Sequence, residues 1–176
     1  MQLSNNLIGY GLLAKLFHWI TFLVLIIQIP CGFYLVGLEF SDRRIDIENI
    51  HILIGISIFY IVLFRLIWKL INPAPKYWKE FFKGQSIIAN INHSLLYASI
   101  FTITISGILK KIYMGEKLNF FIFKYSLKES NFQLADSFYV VHIYANYLLI
   151  ALVLLHIGAV IVHHFFFKDK IIKKIL

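Results

Sequence analysis

Four long apolar runs constrain this chain more than any other feature of its sequence. A helix that spans a bilayer needs about 20 mostly apolar residues, and the sequence predicts four such spans, at residues 16–38, 50–71, 87–109 and 138–166. With 60% hydrophobic and 15% charged residues, the 176-residue chain lacks the polar surface of a soluble domain. We therefore predict an all-α fold, a transmembrane four-helix bundle that forms a single domain over residues 1–176 and lies in a lipid bilayer.

The composition also excludes several classes of protein. It does not fit a disordered chain, a secreted disulfide scaffold or an ordinary cytosolic enzyme. A single cysteine, Cys31, excludes an internal disulfide and a cysteine-based metal cluster. The first apolar run is too long for a cleaved signal peptide. The net charge of +8 is better explained by lysines at helix ends than by nucleic-acid binding, and we predict no nucleic-acid partner.

The distribution of lysine and arginine predicts the orientation. Loops on the cytoplasmic side of a membrane protein carry the excess of these residues. One side has ten of them: Lys15, Arg65, Lys69, Lys76, Lys79, Lys83, Lys168, Lys170, Lys173 and Lys174. The other side has seven: Arg43, Arg44, Lys110, Lys111, Lys117, Lys124 and Lys128. We expect the side with ten, which holds both termini, to be cytoplasmic.

Seven histidines lie in or at the ends of the spans, where a polar side chain is costly and marks a functional site by default. They are His18, His51, His93, His142, His156, His163 and His164. Two of them, His142 and His156, are 14 residues apart on the last span. Fourteen residues make nearly four helical turns, so both imidazoles share a face and lie about 21 Å apart. That separation is too large for one metal ion and suits two cofactors at different depths.

Depth in the bilayer predicts the partners of these two histidines. The directions of the spans place His18 level with His156 near the inner surface, and His51 level with His142 near the outer surface. Each pair can bind one haem iron from two sides. Haem is favoured over zinc, because the sequence offers no matching carboxylate or thiolate for a structural zinc site. Depth alone leaves His93 open as the inner ligand.

Other residues near the predicted sites have two interpretations each. Arg65 has the depth of the inner pair and either binds a haem propionate or extends to the headgroups. Gly55 and Gly158 lie close to predicted ligands and provide either cofactor clearance or ordinary close helix packing. We interpret His163 and His164 as helix-end imidazoles at headgroup level.

Together these residues resemble the bacterial cytochrome b561 family, which consists of four-helix di-haem proteins of the inner membrane. The matching stretches are Leu16-Phe17-His18-Trp19, His51-Ile52-Leu53-Ile54-Gly55, Arg65-Leu66-Ile67-Trp68, Asn72-Pro73-Ala74-Pro75, Ser106-Gly107, His163-His164-Phe165 and Lys168-Asp169-Lys170, with the histidines of the last helix. The resemblance implies two haem b groups held by His18 with His156 and by His51 with His142. It does not make His93 a ligand.

The same resemblance implies an oxidoreductase similar to superoxide oxidases, which take electrons from superoxide on the outer side and reduce ubiquinone. The lysines of residues 110–137 either attract such an anion or simply solvate an interfacial loop. Family members often carry a proline and a tryptophan around the Ser-Gly of the third helix, where this chain has Thr104 and Ile108. This departure bears on the shape of any quinone pocket there.

Two other functions remain open at this point. The first is a b-type cytochrome subunit that relays electrons from a membrane dehydrogenase or hydrogenase to quinone. The compact loops offer little surface for such a partner. The second is a metal-ion transporter, which needs a polar path of carboxylates that the spans almost lack.

Overall fold

Four long helices form most of the computed structural model, which describes residues 2–7, 9–72, 74–75, 83–168 and 172–176. They are α1 (Leu12–Gly37), α2 (Asp42–Ile71), α3 (Gln85–Tyr113) and α4 (Phe132–Phe165). All four are long and apolar enough to cross a membrane. The predicted set of four membrane-length helices is therefore confirmed.

All four helices begin before the predicted spans, and α2 and α4 do so by the most residues. α2 begins at Asp42 instead of residue 50, because the Ser41 side chain caps it by accepting a hydrogen bond of 3.3 Å from the Arg44 backbone N–H. α4 begins at Phe132 instead of residue 138, with Asn131 as the corresponding cap. These first turns are polar. Hydropathy therefore assigns them to loops, although capping makes them helical.

The longest loop contains a small hairpin that the sequence did not predict. Strand β1 (Leu118–Asn119) pairs with the antiparallel strand β2 (Lys124–Tyr125). At the turn, the Phe120 backbone N–H donates to the Phe123 carbonyl at 2.8 Å. The Tyr60 hydroxyl of α2 donates to the Phe120 carbonyl at 3.3 Å, so the hairpin lies against the bundle. The fold is thus all-helical except for these four strand residues among those described.

Neighbouring helices in the sequence are also neighbours in space. α1 packs along α2, α2 along α3, and α3 along α4. A buried cluster holds the centre together and is formed by Ile58, Val62, Ile100 and Leu149. Most other apolar side chains on the helices remain exposed, as expected for a bundle whose outer surface contacts lipid. Dispersion between closely packed helices, more than exclusion of water, stabilises such a core.

The two ends of the chain meet at one end of the bundle. The Asn5 side chain donates to the Asn72 carbonyl at the end of α2, at 3.3 Å. The Trp19 indole donates to the Ile175 carbonyl at 2.9 Å, which ties the start of α1 to the tail. Both termini therefore lie on the same side, as the orientation argument requires. Five residues counted for the orientation or named in the family motifs lie outside the described residues: Pro73, Lys76, Lys79, Asp169 and Lys170.

Candidate functional site

A pair of imidazoles at the end of the bundle away from the termini joins α2 to α4 and is called the outer pair; the pair at the end that holds the termini is called the inner pair. The ring centres of His51 and His142 are 6.4 Å apart, and the ring planes meet at 72°. Nδ1 of His142 lies 2.8 Å from the Ile103 carbonyl of α3. A carbonyl only accepts, so Nδ1 carries the proton, and Nε2 of His142 keeps its lone pair for a metal. The structure therefore brings together the outer pair that sequence depth predicted.

A cavity of about 310 Å³ lies at this outer pair, with His51 and His142 in its wall. Two glycines in the wall approach the rings closely. A Cβ atom at Gly32 would lie 3.2 Å from Cε1 of His51. A Cβ atom at Gly107 would lie 3.1 Å from Cε1 and Nδ1 of His142. To admit the Cβ of any other residue at either position, the facing imidazole would have to shift by a few tenths of an ångström.

Charged residues surround the outer end of the cavity. Lys111, only 6% exposed, places Nζ 3.0 Å from a Glu48 carboxylate oxygen and also pairs with Glu116. Lys110 lies 3.9 Å from the same Glu48 oxygen. Sequence position does not connect Glu48 to these lysines, because Glu48 precedes a different span. The carboxylate partly neutralises them, while Arg44 adds a further positive charge at the cavity wall.

An inner pair joins α1 to α4. The ring centres of His18 and His156 are also 6.4 Å apart, with ring planes at 54°. Nη2 of Arg65 lies 2.8 Å from Nδ1 of His18. A guanidinium group only donates, so Nδ1 of His18 accepts this hydrogen bond. Arg65 also lies over the Tyr97 ring, 5.5 Å from its centre. The predicted inner pair is therefore in contact range, with Arg65 beside it.

The remaining histidines lie beside or beyond this pair. His93 of α3 packs edge-on against His156, with ring centres 5.3 Å apart, so the inner site contains a third imidazole. Nε2 of His163 lies 3.1 Å from the Gln85 amide nitrogen, which joins the end of α4 to the start of α3. His164 is exposed at the end of α4, where the sequence analysis placed it.

The glycines nearest the rings are not the ones that the sequence analysis selected. A Cβ atom at Gly55 would contact the Gln28 side chain at 3.5 Å, and one at Gly158 would meet nothing within 4 Å. For both, cofactor clearance and close helix packing remain alternative interpretations, and Gly55 does line the outer cavity. Gly32 and Gly107 lie nearer to the rings, and each lies on a different helix from the ring that it approaches. Proximity in sequence to a histidine could not find them, whereas matching depth between helices could have.

Comparison with known proteins identifies relatives over nearly the whole chain. The family model described as prokaryotic cytochrome b561 matches residues 9–176. Cytochrome b561 homolog 2 of Escherichia coli (strain K12) is 26% identical over 180 aligned residues, which cover 100% of this chain and 95% of that protein. The chain therefore belongs to the prokaryotic cytochrome b561 family, a family of membrane electron-transfer proteins.

Proposed function

We propose that the protein is a di-haem membrane cytochrome, in which His18 and His156 hold an inner haem b and His51 and His142 hold an outer one. The observation that carries this proposal is the equal spacing of the two pairs, 6.4 Å between ring centres in each. Two imidazoles on opposite sides of one metal, with metal–nitrogen bonds of roughly 2 Å, have ring centres about 6 Å apart. By contrast, the 5.3 Å spacing of His93 and His156 is too short for such an arrangement.

The surroundings of the outer pair also fit a flat macrocycle. The cavity lies where a ring plane between the two imidazoles would extend, and the glycine backbones of Gly32 and Gly107 widen it on two sides. The carbonyl of Ile103 orients His142 through Nδ1, as partners of metal-bound imidazoles commonly do. These features support a haem more than a bare metal ion, because a haem iron needs only two ligands from the protein.

When bound, haem b supplies one-electron redox chemistry, and two axial imidazoles leave no open position on the iron. The chain itself sets the path of the electron. α4 carries one imidazole of each pair, 14 residues or about 21 Å apart along its axis. Leu149 lies seven residues from both His142 and His156 and belongs to the buried central cluster. Apolar packing therefore separates the two sites and keeps water out of the space between them.

We further propose superoxide as the electron donor at the outer site and ubiquinone as the acceptor. Two superoxide anions would release two molecules of oxygen, and ubiquinone would take up the two electrons with two protons. Around the outer cavity the three cations Arg44, Lys110 and Lys111 outnumber the two carboxylates that pair with these lysines, Glu48 and Glu116, and this excess of positive charge favours an anionic donor. Attraction of this kind raises the rate of encounter and weakens with salt.

We place both termini in the cytoplasm, which puts the outer pair at the opposite surface. The end of the bundle that holds both termini also holds Arg65 and Lys69 at the end of α2. Positive residues on that side outnumber those on the other by ten to seven.

The ligand assignment predicts the haem content of single variants. The purified protein should bind two haem b per chain and give b-type bands in a reduced-minus-oxidised visible spectrum. His142→Leu and His156→Leu should each lose one of the two haems, because one axial bond is removed from each site. His93→Gln serves as the control and should keep both. A colourless protein from haem-supplied cells would refute the proposal, and loss of a haem in the His93 variant would refute the inner pairing.

The glycine contacts predict a site-selective defect. Gly107→Val should reduce outer haem occupancy several-fold, because the new side chain displaces the His142 ring, while the inner haem remains. Gly37→Val is the matched control at the end of α1, where the added Cβ would meet nothing within 4 Å. Haem per chain, measured by pyridine haemochrome absorbance, reports both. Equal haem occupancy in the two variants would show that the lack of a side chain at Gly107 is not required for haem binding at the outer site.

The position of Arg65 predicts an effect on the inner haem alone. We infer that its guanidinium fork turns to a propionate there, because Nδ1 of His18 has to carry the ring proton when Nε2 binds iron and can then no longer accept from Arg65. The guanidinium keeps its positive charge beside the inner haem. Arg65→Gln should therefore lower the reduction potential of the inner haem, whereas Arg65→Lys should largely retain it. A redox titration followed in the visible bands measures both haems. An unchanged inner potential in Arg65→Gln would contradict this role.

The donor, the acceptor and the orientation can be tested together. Superoxide generated in the medium should reduce ubiquinone-1 when spheroplasts expose the outer surface, with a rate that falls as salt rises. Inverted vesicles should show little of this activity, because they expose the cytoplasmic surface. Membranes with the His142→Leu variant provide the control. Activity of inverted vesicles alone would reverse the orientation. Absence of activity in a protein with both haems, together with a co-purifying dehydrogenase subunit, would favour the relay function.

A further inference from the structure

A buried amide side chain contacts the backbone of the outer site. Gln28 of α1 is 8% exposed and lines the outer cavity, one helical turn before Gly32. Its Nε2 donates to the His51 carbonyl of α2 at 2.8 Å. Burying a polar side chain between membrane helices costs free energy unless its groups are bonded. A single hydrogen bond leaves half of this amide uncompensated.

Two buried polar atoms at this contact have no partner among the described residues. They are Oε1 of Gln28 and Nδ1 of His51. One is an acceptor, and the other is a donor whenever Nε2 of the imidazole binds a metal. They belong to two residues that already share a hydrogen bond. The other imidazole of the pair is different, since Nδ1 of His142 donates to the Ile103 carbonyl.

We propose that Gln28 is a positioning residue for His51: its Oε1 accepts the Nδ1–H of that imidazole, directly after a small ring rotation or through one bridging water. This inference rests on the proposed haem ligation by His51. The amide then holds His51 twice, at the carbonyl and at the ring. Both outer imidazoles would have a carbonyl-type acceptor, one from the α3 backbone and one from a side chain.

An acceptor on Nδ1 has an electronic effect as well as a steric one. It makes the imidazole a stronger donor to iron, which stabilises the oxidised haem and lowers its reduction potential. A stronger acceptor at position 28 should lower this potential further, and removal of the acceptor should raise it. The negative charge of a glutamate also lowers the potential, so the rise on removal of the uncharged acceptor is the change that reports the hydrogen bond.

Gln28→Met and Gln28→Glu, purified with both haems, test this inference. Methionine has nearly the same length but no carbonyl, and glutamate is the stronger acceptor. In a redox titration, the ratio of reduced to oxidised outer haem at a fixed potential should rise roughly tenfold in Gln28→Met, which corresponds to about 59 mV. It should fall in Gln28→Glu. The inner haem is the internal control and should keep its potential. The electron paramagnetic resonance g values of the outer haem should shift in one direction in Gln28→Met and in the other direction in Gln28→Glu.

The outcomes separate this inference from the function on which it rests. Loss of the outer haem in Gln28→Met with retention in Gln28→Glu would also support positioning. Unchanged outer potentials, or equal shifts of both haems, would overturn the role of Gln28 and leave the di-haem assignment intact. A wild-type protein without two haems would overturn both. The spectrum of Gly107→Val assigns which haem is the outer one.

Discussion

The meeting of imidazoles from different helices is the interaction on which the arrangement of this bundle depends. An imidazole is costly in hydrocarbon unless it has a partner, and here each of four histidines faces another across a fixed gap of 6.4 Å. Both gaps involve α4, which meets α1 at the inner pair and α2 at the outer pair. The closely packed helix neighbours are other pairs: α1 with α2, α2 with α3, and α3 with α4. The packing thus leaves room along one face of α4.

That room is kept open by the absence of side chains at two positions. Gly32 and Gly107 bring backbone within contact distance of His51 and His142. A membrane bundle cannot rely on water release to pull helices together, so close backbone approach and dispersion contribute more. Small residues here have two consequences at once. They allow tight packing of α1 and α3 against the neighbouring helices, and they shape the cavity in which the proposed outer haem fits.

Much of the fold could be predicted from the sequence, because hydropathy over about 20 residues identifies spans and helical periodicity fixes depth. Depth was enough to match His51 with His142. At the inner site it left both His18 and His93 as partners for His156, and both rings do lie beside His156. It could not determine lateral contacts. The Glu48–Lys111 ion pair, the glycines beside the rings and the Gln28 amide all join different helices. Their positions depend on how each helix rotates about its axis, which the weak amphipathicity of membrane helices does not specify. The capped first turns of α2 and α4 were not predicted for another reason: they are helical but polar, so hydropathy assigns them to loops.

The continuity of α4 has a mechanical consequence. Its 34 residues run without interruption and carry one imidazole of each site. The distance between the two sites is therefore set by the rise of a single hydrogen-bonded helix and not by loops or by packing between helices. Stretching or thinning of the bilayer would tilt this helix as a rod, and both sites would move with it. The distance that an electron has to cross between the two sites is therefore set by α4 and does not depend on the lipid that surrounds the protein.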